Sequence, residues 1–91
     1  MPHRRRSTAP AEATRQRSFR QRYNDVEARR AALMTRLQAL GKAAERHPGY
    51  SRALRLLNHT FRKSKLAQRV AVLEAAAWLI SVLEKLTIAA L

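Results

Sequence analysis

After Pro10 the chain contains only three residues that readily interrupt a helix, Gly41, Pro48 and Gly49, and they fall close together. Glycine and proline cost a helix interior about 1 and 3 kcal/mol relative to alanine. A chain punctuated in one place, and rich elsewhere in alanine, leucine and arginine, is expected to make long helices and no sheet. The expected fold class is all-α: an antiparallel two-helix hairpin with a flexible basic N-terminal arm, associating into a four-helix-bundle-like dimer.

Residues 1–14 show no hydrophobic periodicity and hold Pro2 and Pro10, which makes them the arm. The hairpin takes residues 15–91. From Phe19, the residues Tyr23, Val26, Arg30, Leu33, Leu37, Leu40 and Ala44 follow at spacings of four and three, a single seam along one helix face. Arg30 interrupts it, and its stem is expected to pack while the guanidinium reaches water near Glu27. The first helix is placed at about 15–46, carried through Gly41 because Ala43 and Ala44 continue the pattern. The turn is "HPGY", 47–50, with Ser51 capping a second, unbroken helix at about 52–89. Two long helices on a short turn pack antiparallel, which sets Phe19 level with Trp78 and Leu40 level with Leu57.

"HPGYSRALRLL" bears a loose likeness to the turn and recognition helix of a helix-turn-helix. A following helix of nearly forty residues does not suit that compact unit.

The last third of the chain poses a packing problem. Val72, Ala76, Leu79, Leu83 and Leu86 form one apolar seam, Leu66, Leu73, Ala77 and Ile80 a second, and Ala71, Ala75, Trp78 and Val82 a third. A helix apolar over most of its circumference must be covered on several sides. A chain of 91 residues without cysteine has no disulfide or thiolate metal site to staple a small core, which leaves association as the route to stability. Val72, Ala76, Trp78, Leu79, Val82, Leu83 and Leu86 are the expected oligomer interface. The longest uncharged run there, Ala75–Leu83, is far shorter than the roughly 20 residues that cross a bilayer, so no transmembrane helix is expected.

Charge is concentrated in two blocks. Residues 1–22 hold seven arginines and one acid, +6; residues 48–69 hold six cations and no acid, +6; residues 70–91 hold one lysine and two glutamates, −1; the whole chain carries +13. Cations left without local acids repel one another and destabilise a compact fold until an anionic partner relieves them. Phosphate is such a partner, held through counterion release with little need for base contacts. The expected nucleic-acid-binding residues are Arg4, Arg5, Arg6, Arg15, Arg17, Arg20 and Arg22 of the arm and its continuation, and Arg52, Arg55, His59, Arg62, Lys63, Lys65 and Arg69 of the second helix. Arg52, Arg55, His59, Arg62 and Arg69 recur at helical spacing on one face, and His59 adds charge to it on protonation. On the first helix, Asp25 with Arg29 and Glu27 with Arg30 are expected to pair.

The six carboxylates are scattered, and no nucleophile, phosphate-cradling loop or acid–base pair can be assembled from them, so no enzymatic activity and no cofactor are expected. His3, His47 and His59 lack metal-ligand spacing. The Arg-rich, acid-poor start matches a transit peptide and a basic arm alike, and the mature chain is read as cytoplasmic. The expected partners are nucleic acid, DNA or RNA, and a second copy of the chain. The alternative is an interaction protein whose apolar C-terminal helix docks a protein partner while the cations only keep it soluble. A membrane surface is disfavoured because the polar stripe of that helix is narrow.

Overall fold

The computed structural model describes residues 2–89, with side chains from Ser18 onward. It is all-helical: α1 spans Pro2–Gln38, α2 Lys42–Glu45, α3 Pro48–Arg55, a π-helical turn Leu56–Thr60, α4 Phe61–Lys63, and α5 Leu66–Ala89. α3, the π turn and α4 run on without interruption as one middle rod. α1 begins at Pro2 rather than at about residue 15, so the stretch expected as an arm carries helical backbone.

The path has three rods where two were expected. Arg36 of α1 bonds Glu84 of α5, and Glu27, about two and a half turns earlier, lies 3.8 Å from Arg69. Position therefore rises along α1 and α5 together, and these helices are parallel. The middle rod runs against both. Its later part meets Arg30 at Leu57 and Asn58 and meets Arg69 at Phe61, while its start, at Gly49, lies against Leu79 and Leu83 of α5.

Three local causes produce this path. Gly41 has φ of +80°, a left-handed conformation that favours glycine. It therefore ends the first helix at Gln38 instead of letting it run to 46, and the short α2 beyond it buries Ala44. "HPGY" starts a helix instead of forming a turn: His47 is extended (φ −78°, ψ 136°) and its Nδ1 accepts from the Gly49 amide at 3.0 Å. Pro48 takes the first helical position, where its missing N–H goes unmissed. The second helix, expected unbroken, breaks at Ser64 (φ −88°, ψ 147°). There the Ser64 hydroxyl donates to Thr60 O at 2.7 Å, and Gln68 Oε1 accepts from the Lys65 amide at 3.3 Å, the back half of a capping box.

The π turn follows from the spacing of the core. Gly49, Ala53, Leu57 and Phe61 are all buried and recur every four residues. On a regular α-helix each step of four drifts by roughly 40° around the axis. A π turn takes up one more residue and cancels much of that drift, which keeps Phe61 on the same line as Ala53 and Leu57. These residues meet Val26, Leu33 and Leu37 of α1 and Leu73, Ala76, Ile80 and Leu83 of α5 in one core. The level pairings expected for a hairpin do not form: Phe19 and Trp78 are both exposed, and Leu57 lies beside Arg30.

Leu57 is fully buried, so Leu57→Ala is expected to lower unfolding free energy by about 2–5 kcal/mol. Arg55→Ala, on the outer side of the same rod, should change it by less than about 0.5 kcal/mol. Urea unfolding followed by circular dichroism measures both.

Candidate nucleic-acid interface

The cations divide into those turned inward and those turned outward. Two arginines, Arg30 and Arg69, are turned inward and half-buried. Arg30 donates from Nε to Leu57 O at 2.5 Å and from Nη2 to Asn58 Oδ1 at 2.7 Å. Its guanidinium thus serves the backbone of the π turn while the residue stays half-buried. Arg69 donates from Nε to Phe61 O at 2.9 Å and to Ser64 O at 3.1 Å, with Nη2 3.5 Å from Arg62 O, and so caps the carbonyls left at the end of the middle rod. The two guanidiniums also lie over one aromatic ring, Arg30 at 5.3 Å and Arg69 at 4.6 Å from the centre of Phe61, within cation–π range. Glu27 pairs with Arg69 and not with Arg30 as expected. Arg69 is therefore committed to the fold and does not continue the outward basic stripe.

Arg36 reaches across to α5. Its Nε and Nη2 meet the two carboxylate oxygens of Glu84 at 3.2 and 2.5 Å. The hydrogen bond from Arg36, with its charge, holds the Glu84 carboxyl below the usual range, and Glu84 raises Arg36 in turn.

The outward set is Arg52, Arg55, His59, Arg62, Lys63 and Lys65, all exposed, and neither of the two ion pairs among the described residues involves them. An open depression of about 380 Å³ lies between Pro48, Ser51, Arg52 and Arg55, and another of about 580 Å³ between Leu54, Arg55, Asn58 and His59. Arg55 stands between the two. Arg52, Arg55 and His59 thus share one side of the rod. The π turn that holds the buried residues in line every four positions does the same for Arg55, His59 and Lys63, while it sets Arg62 back around the axis by up to roughly 100°, and Lys65 sits in the break. The stripe that the spacing suggested thus runs through Arg55, His59 and Lys63, with Arg52 and Arg62 beside it. No acid lies between Arg46 and Glu74.

Of the α1 cations, Arg20 and Arg22 are exposed. Arg22 also lines a cavity of about 230 Å³ with Asp25, Val26, Arg29, Leu66, Val70 and Leu73. The side chains of Arg4, Arg5, Arg6, Arg15 and Arg17 lie outside the described residues. Among the described residues no group of three His, Cys, Asp or Glu side chains comes together to hold a metal.

The expected interface residues separate in the same way. Ala76 and Leu83 are buried in the chain's own core, Val72, Leu79 and Val82 are half-buried, and Trp78 and Leu86 are 69% and 48% exposed. The core explains the correction for Ala76 and Leu83: the third rod within one chain covers the side of α5 that a partner was expected to cover. By length and composition α5 is also apolar enough to cross a membrane, and 22% of its most apolar stretch is buried within the protein. Counting only the longest uncharged run hid this, because Glu74, Glu84 and Lys85 are the only charges after Arg69.

The chain matches no family model, no curated protein and no solved structure.

Two outcomes test the arginines that bond within the fold. Arg69→Met should destabilise by about 1–3 kcal/mol through the uncapped carbonyls, read by urea unfolding. The Arg36–Glu84 pair should behave as an exposed ion pair worth no more than about 1 kcal/mol. Because the folded-state pKa of Glu84 is depressed, that contribution is present above the unfolded carboxylate pKa of about 4.3 and is lost as pH falls through the folded value. The stability difference between the protein and Glu84→Gln should therefore close on acidification below about pH 4.

Proposed function

We propose that this is a cytoplasmic, non-enzymatic protein that binds nucleic acid through phosphate contacts, with little sequence preference, as a homo-oligomer built on α5. The observation that carries the reading is the set of outward cations on and just after the middle rod: five exposed basic side chains on the rod, counting His59, and Lys65 in the break, on a segment with no acid. In the same chain, cations needed by the fold have found carbonyls, a ring or a carboxylate. Cations with no internal task, gathered around one rod, suit a polyanion whose charges are spaced along a backbone. Arginine outnumbers lysine among them, and its planar fork matches phosphate oxygens. The four-residue α2 is too short to serve as the first helix of a helix-turn-helix, which favours backbone contacts over base reading.

The second reading, an interaction protein whose α5 docks a different protein, draws on the exposure of Trp78, Leu86 and Ile88. The two readings separate on the cations.

Fluorescence anisotropy with a random duplex, a single strand and an RNA hairpin across a salt series tests the proposal. The expected result is tight binding at low salt, with log affinity falling linearly against log salt. Arg55→Glu combined with Arg62→Glu should weaken binding about tenfold to a hundredfold and flatten the slope, with helicity unchanged. Weak binding at physiological salt, unaffected by the reversals, would reduce the cations to a solubilising role.

A further inference from the structure

The outer face of α5 is apolar, uncovered and complementary to itself. Ala67, Ala71, Ala75, Trp78, Val82 and Ala89 recur at helical spacing on the side opposite the buried line of Leu73, Ala76, Ile80 and Leu83. Trp78 is 69% exposed, and Val70 and Ile88 stand exposed along one edge of the face. Two charges share that edge, Glu74 and Lys85, both exposed. Among the described residues neither forms an ion pair within the chain.

We propose that this face pairs antiparallel with the same face of a second copy, about a two-fold axis level with Leu79 and Ile80. The inference deepens the homo-oligomeric part of the reading above and rests on it. In this register Glu74 faces the partner's Lys85, Val70 faces the partner's Ile88, Trp78 faces the partner's Val82, and Ala71 faces the partner's Ala89. The symmetry repeats each pairing. A two-fold axis perpendicular to the helix pair keeps the charged edge of one copy on the same side as that of the other, so the charges meet. Parallel pairing would instead put the two charged edges on opposite sides of the pair, leaving Glu74 out of reach of the partner's Lys85. Small alanines beside Trp78 allow the backbones to approach while the indole fills the space between them.

Charge also selects the occupant. The face carries one acid and one base, so it has no net attraction for an anionic lipid surface, whereas a second copy neutralises both. Two copies at +13 repel each other. The charges of α5 itself balance, Arg69 and Lys85 against Glu74 and Glu84, so contact through α5 opposes that repulsion least. It also leaves the cations of the middle rod uncovered.

Sedimentation velocity across a concentration series, with charge reversals and engineered cysteines, tests the pairing. Glu74→Lys alone and Lys85→Glu alone should each weaken the dimer about tenfold, and the double reversal should restore it. The chain has no cysteine, so crosslinks report contacts directly. Glu74→Cys with Lys85→Cys should give a covalent dimer on mild oxidation, and neither single variant should, because a disulfide needs Cα atoms within roughly 7 Å. A dimer in which Glu74→Cys alone crosslinks would overturn the antiparallel register and leave the homo-oligomer standing. A monomer at every concentration would overturn both. Trp78 is the only tryptophan, and its emission should shift to the blue as concentration rises. A shift seen only with phosphatidylserine–phosphatidylcholine vesicles would overturn the second copy in favour of lipid.

Discussion

Gly49, Ala53, Leu57 and Phe61 can face the core together only because the rod that carries them loosens into a π turn, and everything else in the structure accommodates that. A π turn leaves backbone carbonyls poorly placed for their own helix. Arg30 enters from α1 to take the Leu57 carbonyl, and Arg69 enters from α5 to take those of Phe61 and Ser64. Both guanidiniums also lie over the Phe61 ring. One residue of the middle rod thus ties all three rods at the place where that rod is weakest. Half-burying these charges is tolerable because each has acceptors and Arg69 also has Glu27 beside it.

The excess of arginine therefore does two kinds of work. Arg30, Arg36 and Arg69 act as structural donors, and Arg52, Arg55 and Arg62 are left on the surface. Composition treats these residues as one population. Only their surroundings tell them apart, since an arginine whose N–H donors are held by a carbonyl has fewer of them to offer an outside partner. The side of α5 that touches the middle rod is also separate from the side that carries Trp78, so the polyanion and second-copy surfaces proposed here do not compete.

Much of the core was legible from periodicity. Val26, Leu33, Leu37 and Ala44 are buried as the first seam requires, and Leu57 and Phe61 are buried opposite them. The path of the chain was harder to read, because three local signals mislead a count of helix breakers. Gly41 supplied a left-handed residue where Ala43 and Ala44 beyond it suggested continuity. Pro48 opened a helix instead of ending one. The break at Ser64 contains neither glycine nor proline, and its only marks are a serine followed by a glutamine four residues later. The inward turn of Arg69 was hidden for a related reason: spacing places a residue on a face only if the helix is regular, and both the π turn and the break intervene. The buried interval of four, repeated from Gly49 to Phe61, was the available clue to that irregularity.

The parallel arrangement of α1 and α5 bears on how the chain comes together. The middle rod and α5 are neighbours in sequence, joined by two residues, so their packing closes a short loop. α1 reaches its partners across 27 residues at Arg30–Leu57 and 48 at Arg36–Glu84. Contacts that distant form late, after nearer ones have made a surface to receive them. During synthesis the order is reversed: α1 emerges first and α5, which completes its cover, emerges last. The seam from Val26 to Leu37 stays exposed until the middle rod and α5 have both emerged.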